Sequence, residues 1–222
     1  SCARELLERD VEIDVLINNA GVAGHRGETD EGFELAFGVN HLGHFLLTML
    51  LIDAVESAAP SRIVNVASRS HYDVNGIDFG AVQEPTKTAT GLREYAVSKL
   101  ANVLFTAELG RRLVGTGITT YSLHPGVVAT DVWRRVPWPF DAIMKLFMKS
   151  PERGAETTLY CATSEEVADE TGLYYDKCAQ KEPNPAAKDA ALAAELWSRS
   201  VDWTGEDLQT SEVSRGDETK AS

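Results

Sequence analysis

Short apolar, strand-like runs alternate with longer helical stretches along this chain, the pattern of an α/β protein with a doubly wound parallel sheet. Three observations point there. The runs Ile13–Ile17, Arg62–Ala67 and Ile118–Leu123 are rich in β-branched residues, as strands buried on both faces are. Apolar residues spaced three and four apart fill the stretches between them. Each run ends in Asn, Ser or Pro-Gly, and open α/β sheets bind ligands beyond such carboxyl ends.

In chain order, residues 1–10 read as the end of an amphipathic helix. The strand at 13–17 closes in Asn18-Asn19-Ala20-Gly21, where Gly21 would let backbone approach a flat ligand; a simple turn is the equal alternative. From 30 to 58 the pattern is helical, with Phe33, Phe37, Asn40, Leu42, Phe45, Leu46 and Met49 on one stripe. Asn40 is the polar member, and a packed core amide is its ordinary reading. Ser68 follows the 62–67 strand, placed either to bind a substrate oxygen or to cap a turn. An irregular polar connection over 70–92 leads into a helix that carries Tyr95 and runs to about Val114. After the 118–123 strand, His124-Pro125-Gly126 forces a sharp exit and leaves the amides up to Thr130 free for a ligand. A helix begins at Ser150-Pro151-Glu152 and runs through Ala162, a last strand covers 172–175, and a closing helix covers 185–201. The domain is therefore 1–203, and 204–222 is a polar tail expected to be disordered.

Composition narrows the function. A net charge of -13 argues against nucleic acid, which needs clustered cations. Cys2, Cys161 and Cys178 form neither disulfide framework nor metal spacing. His41 and His44 are i and i+3, but no third ligand follows, so no metal is expected. No run of about 18 apolar residues suggests a bilayer span. There is no Gly-x-Ser-x-Gly elbow for a serine hydrolase. Residues 131–149 are basic and aromatic in an otherwise acidic chain, which suits a lipophilic binding lid or contact with a membrane surface as well as it suits a packed helix.

The chemistry sits at Glu94–Leu100. Tyr95 and Lys99 are four apart and share a helix face. An ammonium beside a phenol favours the phenolate and lowers a pKa that is ordinarily about 10. Tyr95 is thus a candidate general acid/base for a carbonyl or an alcohol.

Asn18-Asn19-Ala20-Gly21, Asn40, Ser68, Tyr95/Lys99 and Pro125-Gly126 through Thr130 occur in one order that resembles the short-chain dehydrogenase/reductase family, over nearly the whole chain to about residue 203. Val39–Phe45, Ser98–Phe105, His124–Val128 and the long link from Ser68 to Tyr95 resemble its retinol dehydrogenase branch. The resemblance implies a Rossmann-type fold and an NADP-dependent interconversion of alcohol and carbonyl on a lipophilic, retinoid-like substrate, with NAD as the other cofactor. Tyr95 would move the proton, Lys99 would lower its pKa and hold the nicotinamide ribose, Ser68 would polarise the carbonyl, and Asn40 would support a water-linked proton path. Asn18, Ala20 and Gly21, together with Pro125, Gly126, Val128 and Thr130, would line the cofactor. The alternatives are the same chemistry on a steroid, lipid aldehyde or xenobiotic ketone, and a catalytically silent binding protein on the same sheet.

The family's first strands and Gly-rich phosphate turn find no counterpart after Ser1. The chain is accordingly expected to be N-terminally incomplete, with unpaired backbone at the sheet edge, weak cofactor binding and marginal folding. The branch resemblance implies an endoplasmic reticulum anchor ahead of Ser1, with a cytoplasmic enzyme as the alternative, and pairing of a second copy on the helices of Asn40 and Tyr95.

Overall fold

The structure, a computed structural model, describes residues 2–126 and 151–208. Five strands form one sheet in sequence order: β1 (Val15–Asn18), β2 (Ser61–Val66), β3 (Ile118–His124), β4 (Leu173–Asp176) and β5 (Ala179–Gln180). The first four are parallel, as the doubly wound pattern predicts, and β5 returns antiparallel to β4. This hairpin is the one strand pairing the sequence does not signal. Its turn residues Lys177 and Cys178 take φ of 56° and 57° without the Gly, Asn or Asp that usually mark such turns. Among the described residues β1 is an edge strand, and its Ile17 is 41% exposed.

Helices cover both faces. α1 (Cys2–Leu7), α2 (Leu35–Ser57), α3 (Leu92–Arg112) and α5 (Ala190–Thr204) lie with one face, and α4 (Pro151–Thr163) packs on the other. The two-residue period of the strands feeds both layers. Ile63 and Ile118 join Phe45, Ile52 and Phe105 on the α2/α3 side, while Val64, Val66, Tyr121 and Leu123 meet Cys161 of α4.

The helix boundaries follow local chemistry. The pattern predicts a helix from residue 30, but α2 begins at Leu35 because Glu34 caps it, its Oε2 accepting the Phe37 N–H at 2.9 Å. α3 begins after its N-cap Gly91, where φ is 63° and a Cβ would meet His25 O at 2.6 Å. The predicted 185–201 helix is a short 3-10 turn over Pro185–Lys188, then α5 capped by Asp189. Beyond α5, Trp197 Nε1 donates to Asp207 Oδ1 at 2.9 Å and Leu208 packs on the core.

One expectation needs correcting. α2 does carry an 18-residue window apolar enough to cross a bilayer, although 67% of that window is buried inside the protein. Asn40, His41, His44 and Thr48 interrupt the run, which hides it from a search for unbroken apolar sequence.

Candidate active site

The parallel strands bring Ser68, Tyr95, Lys99 and Asn40 to one end of the sheet. β2 ends at Val66, and Ser68 caps a 3-10 turn over Arg69–Asp73, its Oγ accepting the Ser70 N–H at 3.2 Å. The serine therefore fills the capping role of the two that the sequence leaves open. Its oxygen caps the turn while its hydroxyl donates to Ser70 Oγ at 3.4 Å, and it stands close enough to the Tyr95 phenol on the first turn of α3 to lower that phenol's pKa.

Lys99 lies one turn further along α3, 4% exposed, with Nζ donating to Val66 O at 2.8 Å and 5.7 Å from the centre of the Tyr95 ring. Burial draws its pKa down to about 8. Tyr95 departs from expectation. Burial raises the phenol above its ordinary value, and the influence that lowers it comes from Ser68 rather than Lys99. The ammonium is turned onto the Val66 carbonyl, and a desolvated phenolate costs more than that arrangement offsets.

Asn40 sits in a π-helical turn of α2, Gly38–Leu42, and is fully buried. Its Oδ1 accepts Val22 N–H at 2.8 Å, while Nδ2 donates to Val22 O at 2.9 Å and Ser98 Oγ at 2.9 Å. Ser98 Oγ in turn donates to Tyr95 O at 2.8 Å, so one amide ties the loop after β1 to the Tyr95 turn. Gly21 is required where the loop passes: a Cβ would lie 2.8 Å from Asn40 Oδ1 and 3.8 Å from Lys99 Nζ.

Asn18 is held in the core rather than at the surface. It is 1% exposed, and its Nδ2 donates to Thr48 Oγ1 at 2.9 Å and Asn65 Oδ1 at 2.8 Å. Ala20 and Gly21, just beyond, are exposed. Pro125 and Gly126 leave the carboxyl end of β3 half-buried, with Gly126 at φ 90°. Val128, Thr130 and the segment 131–149 lie outside the described residues.

Some contributors carry no sequence signal. The Val66 carbonyl is backbone, and it also accepts from Asn102 Nδ2 at 3.4 Å. Asn102 was within reach of pattern reasoning, since it is i+3 from Lys99 on α3. His41 and His44 are core residues of α2. Burial lowers their pKa values to about 3 and about 4, and His41 Nε2 meets Ser200 Oγ at 2.9 Å.

A buried lysine one turn from a tyrosine, a serine beside that tyrosine at the end of β2, and Gly21 after β1 are the groups the short-chain dehydrogenase resemblance implies, and they lie on a parallel α/β sheet. The model of the family described as "short chain dehydrogenase" matches residues 2–138, and the chain belongs to that family. It is 43% identical over 212 residues to human retinol dehydrogenase 13, covering 91% of this chain and 64% of that protein. Against human retinol dehydrogenase 14 the identity is 44% over 206 residues, covering 89% and 60%. The chain thus spans a little under two thirds of these relatives. Among solved structures, an uncharacterized protein from Mycobacterium paratuberculosis matches with a TM-score of 0.71 and 30% identity, over 93% of this chain and 72% of that one.

The residues present fit a nicotinamide nucleotide. Of the three hydrogens on the Lys99 ammonium, the Val66 carbonyl takes one, leaving two donors for vicinal ribose hydroxyls. The exposed Ala20-Gly21 backbone beside it admits a flat ligand.

Proposed function

We propose that this protein is an NADP-dependent oxidoreductase that interconverts an alcohol and a carbonyl on a lipophilic, retinoid-like substrate. The observation that carries the reading is the convergence of Ser68, Tyr95 and Lys99 at the end of β2. The retinol dehydrogenase relatives support the substrate class, and the branch resemblance supports NADP over NAD.

When bound, the nicotinamide gives or takes the hydride. Ser68 donates to the carbonyl oxygen and stabilises the charge that develops there. Tyr95, whose raised pKa keeps the phenol protonated at neutral pH, gives its proton to the same oxygen. Lys99 holds the ribose hydroxyls and steadies the phenolate left behind. Asn40 fixes the Val22 loop and, through Ser98, the Tyr95 turn. Asn18 anchors the strand end while Ala20, Gly21, Pro125, Gly126, Val128 and Thr130 line the cofactor.

The basic, aromatic stretch 131–149 would supply the lipophilic wall and contact with a membrane surface, in keeping with an endoplasmic reticulum enzyme, and α2 and α3 would form the face for a second copy. The test is reduction of retinal, a ketosteroid, a lipid aldehyde and a xenobiotic ketone with NADPH and with NADH. The reading expects retinal with NADPH to give the highest kcat/KM. Preference for another carbonyl would move the substrate class, and failure to turn over any of the four would overturn the enzymatic reading.

A further inference from the structure

Ser68 stands on a turn, and a turn wanders unless something holds it. His71, three residues on and fully buried, is what touches it. Its Nδ1 lies 2.5 Å from Ser68 O, and its Nε2 lies 3.2 Å from the backbone N of Asn184. A carbonyl can only accept and an amide N–H can only donate, so both contacts are satisfied by one state: the neutral ring with its proton on Nδ1. Asn184 closes the frame from the far side. Its Nδ2 donates to His71 O at 2.8 Å and Val74 O at 2.6 Å, and its Oδ1 accepts from Ala186 N at 2.8 Å. The Tyr174 ring packs edge-on against the imidazole, centroids 4.7 Å apart, and Tyr72 covers it at 4.0 Å.

We propose that His71 is a positioning residue: its Nδ1-protonated ring ties the Ser68 turn to the Asn184 loop and so sets the Ser68 hydroxyl against the Tyr95 phenol. The inference rests on the role given above to Ser68. Burial lowers the pKa of His71, with Ser68 O and Asp73 opposing and Lys181 reinforcing, so the ring stays neutral at physiological pH. Protonating it would set an N–H against the Asn184 N–H and release the loop.

The 222-residue chain itself serves for the test, with 13Cζ-labelled tyrosine and 15N-labelled histidine followed by NMR at pH 7. Tyr95→Phe assigns the Tyr95 signal. The 15N shifts of His71 should show a proton on Nδ1, and a proton on Nε2 would overturn the proposal without any variant. Ser68→Ala should displace the Tyr95 resonance, and His71→Gln, which offers nothing at the Nδ1 position, should displace it in the same direction. His71→Asn, whose amide N–H reaches the place of Nδ1, should leave it near the wild-type position. Displacement by Ser68→Ala but not by His71→Gln would sink the idea, as would equal displacement by the Asn and Gln variants. None of these readings depends on turnover. An active Tyr95→Phe enzyme would therefore refute the proposed chemistry and leave the His71 result standing.

Discussion

The Asn40 side chain grips the backbone of Val22 at both ends, accepting its N–H at 2.8 Å and donating to its carbonyl at 2.9 Å. A side chain that replaces a strand partner in this way leaves two backbone groups stranded when it is removed. Asn40→Ala should cost about 1–3 kcal/mol, read as a lower urea midpoint with an unchanged slope.

The same amide explains Gly21. A Cβ there would come within 2.8 Å of Asn40 Oδ1, so Gly21→Ala should destabilise by about 1–3 kcal/mol as the amide is displaced. In the Asn40→Ala background the penalty should shrink, because the clash is gone. A double-mutant cycle from denaturation midpoints measures that coupling, and additive effects would contradict it.

Lys99 is buried as a charge for function, not for stability. Its pKa of about 8, against 10.5 in the unfolded chain, means that folding disfavours the ammonium. Stability should therefore rise between pH 8 and 10.5, as the unfolded chain binds the proton that the native state has released. Lys99→Met should be neutral or stabilising by about 1–3 kcal/mol at pH 7 while it abolishes cofactor binding. Thermal unfolding and a cofactor titration of the one variant check both halves.

His41 and His44 give the fold an acid limit. Their native pKa values of about 3 and about 4 lie below the unfolded 6.5, so their contribution to stability is complete above pH 6.5 and is lost as pH falls below it. Each contributes a slope of up to about 1.4 kcal/mol per pH unit on the way down. Urea midpoints should drop between pH 6.5 and 4.5, before most carboxylates titrate, and His44→Leu should flatten the drop. A wild-type midpoint constant over that interval would contradict the assignment.

The fold was legible wherever the sequence has a period. Four strands and the main helices follow from β-branched runs and from residues such as Leu100, Val103 and Leu104 spaced along α3. Tyr95 and Lys99 were legible because a helix brings i and i+4 together, and Ser68 because strand ends in parallel sheets meet. The rest depends on contacts without local spacing. His71 and Asn184 are 113 residues apart, and the carbonyl that holds Lys99 belongs to the backbone of Val66. The β5 hairpin turns at Lys177-Cys178, residues that carry no turn signal. The acidity of Tyr95 was misjudged because sequence shows which charge is near but not how much water is excluded, and burial decides that phenol.

The most direct test of the account is kcat for NADPH-dependent reduction of retinal by wild type and by Tyr95→Phe, with circular dichroism confirming that both are folded. A loss of roughly 100-fold or more in the variant is the expected result for removal of a general acid. Turnover by Tyr95→Phe at the wild-type rate would contradict the claim that this phenol hands the proton to the substrate oxygen.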